Sequence, residues 1–355
     1  MPRDRRASLK DVAMLANTSV ATASRVLNGK GYASLAARQR VLEAAKLLGY
    51  HPNLRARGLR QRSSCGIGLI IPNLLNAYYT ALADAISQLL AGSGYHLLLS
   101  STRDDPLLEQ AIVYDMIGQD VAGLIWVPSS RDRELVDYLL RQRIPAVSIV
   151  RRVPGDVLDT VVFADYDGSY AATQHLIRLG HRAIGYIGGD VRYSSNYARW
   201  QGYLAALSDA SLSVDEQRVK LGVALSAWGE TAASELLQLP SPPTAIFVAS
   251  NAIMPGVIKL LRRQGVAIPK EMSLICFDDV DWFSFSVPPI TAVQISHARL
   301  AETALELLLK RIEDPQRPLS YVEIDFELVL RSSTGPPCYG PESESENALA
   351  GWMID

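Results

Sequence analysis

The reading turns on residues 8–29, SLKDVAMLANTSVATASRVLNG. Leu9, Val12, Ala13 and Ala16 recur at helical spacing, and Ser8 stands where an N-cap belongs. Asn17-Thr18-Ser19 interrupts the pattern, and Asn is the non-glycine residue best suited to a left-handed turn. A second helix is expected from about Val20 to Leu27, ended by Asn28-Gly29. A third is expected from Ser34 to Leu48, burying Leu35, Val41, Leu42, Ala45 and Leu48, with Gly49 closing it. Helix, three-residue turn, helix is a layout that delivers its second helix to the DNA major groove.

Charge supports that reading. Residues 1–62 hold thirteen Lys/Arg against three Asp/Glu, a net +10; the remainder holds 22 against 34, a net −12. A basic head on an acidic body suits a polyanion-binding module fused to a second function. Cys65, Cys276 and Cys338 are far apart and not in CxxC spacing, which argues against a zinc ribbon or a disulfide scaffold. The N-terminal MPRDRRASLKDV lacks the apolar stretch of a secretion signal, and no apolar run reaches the ~20 residues of a membrane span. A cytoplasmic protein without metal or cofactor is expected.

After Arg62 short β-type runs alternate with longer helical segments, from Gly66–Ile71 and Tyr95–Ser100 through to Ala245–Ala249 and Leu274–Phe277. Such alternation predicts parallel sheets covered on both faces. About eight strands are too many for one ordinary sheet, so two lobes are expected. Val322–Leu330 reads as one further strand. The aperiodic, acidic stretch 335–355 reads as a flexible tail.

The segment at 8–29, the run RQRVLEAAKLLGYHPNLRARGLR, and the body stretches DYDGSY, HLIRLGHRAIGYIGG, ARWQGYLAAL, PTAIFVASNA and SLICFDD together resemble the lactose/galactose-repressor family of bacterial regulators, in family order as far as Thr334. The resemblance implies an α/β protein: an N-terminal helix-turn-helix head plus a two-lobed, periplasmic-binding-protein-like body of parallel sheets. It divides the chain into a head (1–50), a hinge helix (51–62), an N-terminal lobe (63–162 and 291–320), a C-terminal lobe (163–290 and 321–334) and the tail.

For DNA, Ser19, Val20, Ala21, Thr22 and Arg25 lead the recognition helix. By resemblance Val20 and Ala21 take the main sequence-reading positions. Being small and apolar, they suit a thymine methyl, or they are merely tolerated surface residues. Arg25 suits a guanine edge. Ser19, Thr22 and Asn28 suit phosphates. In the hinge, Asn53, Arg55, Arg57 and Arg60 accompany Leu59. The resemblance makes Leu59 a minor-groove wedge once two subunits meet on the operator; a charged linker is the plainer alternative.

For a small-molecule effector, strand-end polar residues are the candidates, because such folds bind ligands at the carboxyl ends of their strands. The resemblance selects Arg199, Asn251 and Asp278, with Tyr78 and Tyr79 after the first strand, and Trp126 and His297 at variable contact positions. Asp278 also reads as a helix N-cap, and Trp126 as a core aromatic. Val150 stands where relatives carry an acid, Ala252 where an Asp is common, and Ala224 where an aromatic often stacks on a sugar. Loss of two carboxylates beside Arg103, Arg151, Arg192 and Arg199 tilts the expectation toward a sugar acid or sugar phosphate over a neutral sugar.

The function expected is therefore a homodimeric, ligand-responsive transcriptional regulator, a repressor of carbohydrate genes on a pseudo-palindromic operator. Its expected interface surrounds the Ala77–Leu90 and Ile253–Gln264 helices. The alternatives are a sugar-binding transport protein and a purine-responsive regulator of the same fold. An enzyme is not expected: there is no GxGxxG opening a helix, no Walker loop, no GxSxG and no HExxH.

Overall fold

The computed structural model describes residues 7–27, 32–50, 65–129 and 133–338. The candidates Asn28, Asn53, Arg55, Arg57, Leu59 and Arg60, the hinge over 51–62 and the tail beyond 338 lie outside the described residues. The chain divides at Ser64 into two units.

The first unit holds α1 (Leu9–Leu15), α2 (Val20–Leu27) and α3 (Leu35–Leu47). Ser8 and Asp11 form a reciprocal capping box on α1. Asn17 turns the chain at φ 48°, and the Thr18 amide bonds back to the Ala13 carbonyl at 3.0 Å. Ser19 opens α2 by accepting from the Thr22 amide at 3.1 Å. Val12, Ala13, Ala16, Ala23, Val26, Val41, Ala44 and Ala45 form the core. The many alanines let three short helices approach closely. The seam of α3 is Val41, Ala44 and Ala45; Leu35, Leu42 and Leu48 are exposed, contrary to the expectation for that helix. One narrow seam is all that so small a core can bury.

The second unit contains two six-stranded sheets. The first is built from β1 (Gly66–Ile71), β2 (His96–Ser101), β3 (Gly123–Trp126), β4 (Ala146–Ile149), β5 (Asp159–Phe163) and β11 (Tyr321–Ile324), in the order β11-β5-β4-β3-β1-β2. Every pairing in it is parallel. Between these strands run α4 (Ala77–Leu90), α5 (Pro106–Gly118) and α6 (Glu134–Gln142). The second sheet has β6 (Ile184–Gly188), β7 (Val219–Leu221), β8 (Ala245–Val248), β9 (Ser273–Phe277), β10 (Thr291–Ile295) and β12 (Phe326–Val329), in the order β12-β10-β9-β8-β6-β7. Only β12 runs antiparallel. Its helices are α7 (Asp165–Arg178), α8 (Ser194–Asp209), α9 (Ser226–Leu237), α10 (Met254–Arg263) and the short α11 (Asp281–Phe285); α12 (His297–Glu313) packs on the first lobe against α4, β3, β4 and β5.

These placements correct two expectations. Residues 291–295 are β10 of the C-terminal sheet, not part of the N-terminal lobe, whereas 321–324 are β11 of the N-terminal sheet. Nor is Val322–Leu330 one strand. It breaks at Asp325, where the chain passes from one sheet to the other, and hydrophobic patterning cannot register a change of partner. The chain thus crosses between lobes near Ala164, Ser296 and Asp325.

Alternation along the strands explains the cores. Ile67, Leu69, Ile71, Ile125 and Val127 face α4 and α12, whereas Ile70, Leu124 and Trp126 face α5 and α6. In the C-terminal lobe α7 and α8 lie so close at Gly202 that a Cβ there would strike the Tyr166 carbonyl. Asp159, its side chain wholly buried, is held by Arg311 at 2.9 Å, Arg317 at 3.4 Å and the Ser320 amide at 2.8 Å. That network fastens the end of α12 to β5.

Candidate functional site: an exposed recognition face and an inter-lobe cleft

On the head, Ser19, Val20, Ala21 and Arg25 are exposed and Thr22 is half-buried, all on the first turns of α2. Ser19 and Thr22 hydroxyls bond at 2.9 Å, and the Arg25 Nε donates to the Ala21 carbonyl at 3.3 Å. Arg40 donates to the Ala16 carbonyl at 3.1 Å, capping the end of α1. The helix therefore offers a small apolar step flanked by hydroxyls and one cation.

In the body, Arg199 on α8 lies at the carboxyl ends of the second sheet. Its Nε donates to Asp165 at 2.7 Å and its Nη1 to the Ala249 carbonyl at 2.8 Å, while Nη2 reaches Asp278 at 3.3 Å. The guanidinium lies over the Phe277 ring, 3.7 Å from its centroid. Asn251 donates to Asp278 at 3.1 Å. All four polar residues are buried. One guanidinium serves two carboxylates, so burial pushes the Asp165 carboxyl up to about 6 against the pull of Arg199. Burial alone would favour loss of the Arg199 proton; Asp278 and Asp165 outweigh it and hold the guanidinium charged. Asp278 turns the chain after β9 at φ 68°. It caps no helix, since Val280 precedes α11.

The structure therefore brings Arg199, Asn251 and Asp278 together and adds Asp165, which sequence reasoning missed because it is a first-turn helix acid like many others. Tyr78 and Tyr79 belong to the opposite lobe and are buried against the same cluster. The Tyr78 hydroxyl has no hydrogen-bond partner. Burial lifts it well above the ordinary tyrosine range, and the nearby Asp278 adds to the lift. Burial pushes Tyr79 up to about 12, opposed by Arg151. His297 is exposed, with its ring edge-on to Tyr78.

Trp126 does not join them. It faces α5 and α6 on the far side of the sheet, and its indole donates to Glu109 at 2.7 Å. A strand's alternation sends Ile125 and Val127 one way and Trp126 the other.

The expected excess of positive charge is also absent. Arg151 pairs with Asp104 at 2.6 Å, Arg192 with Asp190 at 2.7 Å, and Arg199 with two acids. Arg103 is exposed. Asp104 and Asp165 supply the carboxylates that pair Arg151 and Arg199.

A cavity of about 850 Å³ opens between the lobes. Its buried end includes Phe163, Asp165, Ser195 and Arg151; its outer end includes Tyr166, Tyr197 and Tyr321. Arg151 reaches it through a strained turn. Val150 sits at φ 64°, and the Arg151 amide bonds to the Ile149 carbonyl at 2.6 Å, a γ-turn of the hand that costs β-branched residues most. Among the described residues no group of His, Cys, Asp and Glu is placed to hold a metal ion, and no helix is long and apolar enough to cross a membrane.

A helix-turn-helix head joined to a two-lobed ligand-binding body defines a DNA-binding transcriptional regulator rather than an enzyme. Comparison with known proteins bears this out. Residues 8–53 match the model of bacterial regulatory proteins of the lacI family, and 173–334 match the periplasmic binding protein-like domain. The HTH-type transcriptional repressor PurR of Actinobacillus pleuropneumoniae serotype 3 (strain JL03) is 32% identical over 329 residues, covering 92% of this chain and 98% of that protein. The PurR of Haemophilus influenzae (strain PittEE) is 29% identical over 330 residues, with the same coverage. Among solved structures, the complex of the transcriptional regulator CelR with cellobiose superposes with a TM-score of 0.71 at 28% identity, over 92% of this chain and all of that one. The lac repressor dimer bound to operator and the anti-inducer ONPF has the same fold, with a TM-score of 0.82 at 24% identity over 93% of this chain and all of that one. The chain belongs to the LacI family.

Proposed function

We propose that this protein represses transcription as a homodimer on a pseudo-palindromic operator, and that a carbohydrate ligand in the inter-lobe cleft sets its affinity for DNA. The observation that carries the ligand reading is the inter-lobe cavity itself, where Asp165, held by the buried Arg199, is joined by Arg151, Ser195 and Glu323. A fixed array of acceptors and donors beside aromatic faces is the chemistry that recognises hydroxyls on a ring. Because each cleft arginine already has a carboxylate partner, a neutral sugar fits better than a sugar acid or sugar phosphate. A purine is the second reading, favoured by the aromatic wall of Phe163, Tyr166, Tyr193, Tyr197 and Tyr321, which stacks on flat heterocycles as well as on sugars.

On DNA, Val20 and Ala21 meet base edges and Arg25 reads a guanine, with Ser19, Thr22 and Asn28 on phosphates. In the hinge, Asn53, Arg57 and Arg60 hold the backbone and Leu59 enters the minor groove. Two heads are required because one short helix buries too little to fix register alone. The outward faces of α4 and α10 supply the subunit interface. Ligand acts through different affinities for two arrangements of the lobes.

Thermal shift on the purified protein, with neutral sugars, sugar acids, sugar phosphates and purines, tests the ligand class. A ligand at 100 times its Kd stabilises the body by about 2.7 kcal/mol. A shift by neutral sugars, together with altered operator binding, is expected. A shift by purines alone replaces the carbohydrate reading with the second one.

A further inference from the structure

On the buried face of α5, Glu109 stands in line with Val113 and Met116, and solvent does not reach it. An apolar side chain would serve packing better there, because a carboxyl group taken out of water is costly unless its oxygens are bonded. One oxygen, Oε1, accepts both the Trp126 indole N–H at 2.7 Å and the Ser129 amide at 2.6 Å. Helix α5 is thereby tied to the end of β3 and to the turn that follows it.

That turn leads to the cleft. The Pro128 carbonyl accepts from Arg151 Nη1 at 3.0 Å, and Pro128 and Arg151 both line the cavity. The same Nη1 donates to Asp104 at 2.6 Å. Asp104 lies in the turn after β2, where Arg103 and Asp104 are consecutive left-handed residues at φ 55° and 58°. Two such residues in a row persist only where their surroundings over-determine them. Here the Thr102 hydroxyl accepts from the Asp104 amide at 3.2 Å and bonds to the Ser129 hydroxyl at 2.7 Å. Arg151 therefore hangs from two turns, and the two are joined at Ser129, whose backbone Glu109 holds. Across the cleft the guanidinium stacks on Tyr193, 3.7 Å from the ring centre.

We infer that Glu109 is a positioning residue for the effector cleft: it touches no ligand, but it fixes the turns that aim Arg151 and so biases the lobes toward closure. The inference rests on the reading of the inter-lobe cavity as the effector site, and it holds for a sugar and a purine alike. The geometry accounts for the residue type. Two N–H donors from different residues converge on one oxygen, which an apolar side chain cannot satisfy and a glutamine, with the same Oε1, can. Without that acceptor the turn at 127–129 is released, and with it one of the two groups bonded to Nη1.

Small-angle scattering of the ligand-free full chain tests the positioning directly. Arg151→Met is expected to enlarge the radius of gyration by removing the stack, a contact that biases closure roughly 2- to 30-fold. Glu109→Met is expected to enlarge it by at least half as much, the double variant no further than Arg151→Met alone, and Glu109→Gln not at all. Thr102→Val severs the join between the two turns and gives the same expansion, which keeps the test open if Glu109→Met does not fold. A Glu109→Met protein that melts lower but keeps the wild-type radius has a structural role only, and that result overturns the inference. Additive expansion in the double variant, or expansion in the Gln variant, overturns it as well. Calorimetric titration of the same variants with the sugars and purines of the thermal-shift panel separates the site from the positioning. A compound that binds more weakly to Arg151→Met and Glu109→Met, but not to Glu109→Gln, supports both. One that binds all variants equally removes the cleft reading, while the scattering still decides whether Glu109 positions Arg151.

Discussion

The guanidinium of Arg151 lies 3.7 Å from the centre of the Tyr193 ring, and the two residues belong to different lobes. Beside them the Arg152 amide donates to the Ser194 hydroxyl at 2.9 Å, again across the cleft. The lobes are therefore joined by side-chain contacts as well as by three chain crossings. A cation–π contact is worth roughly 0.5–2 kcal/mol. Tyr193→Ala is expected to shift the lobes toward an open arrangement, seen as a larger radius of gyration in small-angle scattering of the ligand-free protein. Tyr193→Phe is expected to leave it unchanged; an equal expansion in both variants would assign the effect to something other than the ring face.

Arg199 neutralises two buried acids, so removing it leaves charge without compensation. Arg199→Met is expected to destabilise the body by about 3–5 kcal/mol in urea unfolding. The paired Asp165→Asn and Arg199→Met variant should recover part of that loss. A single-variant cost below about 1 kcal/mol would mean that water replaces the guanidinium.

Val150 occupies a left-handed conformation that costs an ordinary residue about 1–2 kcal/mol. It borders the cavity but is itself buried in the core cluster, so relief of the turn is set against lost packing. Val150→Gly, which relaxes the turn without burying a polar group, is expected to change the melting temperature by no more than a few degrees. A fall equivalent to more than about 2 kcal/mol would show that the packing of Val150 outweighs its strain.

His181 is buried, with its ring nitrogens bonded to Thr244 at 2.8 Å and to the Gly335 carbonyl at 2.8 Å. His175 bonds to Thr334 at 3.0 Å. Burial holds both imidazoles below their usual range. A depressed folded-state pKa means that the unfolded chain binds the proton first. Their contribution is complete above the unfolded value of about 6.5 and is lost as pH falls through the folded value. Asp165, raised to about 6, acts in the opposite direction, losing stability as pH rises from about 4 to 6. The check is therefore a difference: melting curves of wild type and His181→Gln should converge as pH drops from 7 to 5. Parallel curves would remove His181 from the pH dependence.

On the head, Ser19→Ala is expected to cost about 1 kcal/mol through loss of the α2 cap. Arg25→Ala is expected to relax preference at one operator position while leaving the salt dependence of binding nearly unchanged. A salt slope lower by about one would instead assign Arg25 to a phosphate.

Local grammar made the head and the alternating body legible in the sequence. The cap at Ser8, a left-handed Asn17 and period-3.6 apolar spacing act within one or two turns, so the residues concerned are neighbours in the chain. Strand ends were equally readable, and this placed Asn251 and Asp278 among the site candidates; Arg199, on a helix, came only from the family resemblance. What the sequence alone could not supply was spatial partnership. That Asp165 and Asp104 neutralise Arg199 and Arg151, that Trp126 turns from the cleft to Glu109, and that Asp325 carries the chain between two sheets all depend on contacts between distant segments. Charge compensation follows distance in space, and a residue's type records only that it needs a partner. Which partner it meets was decided by the packing of the two sheets and the helices between them.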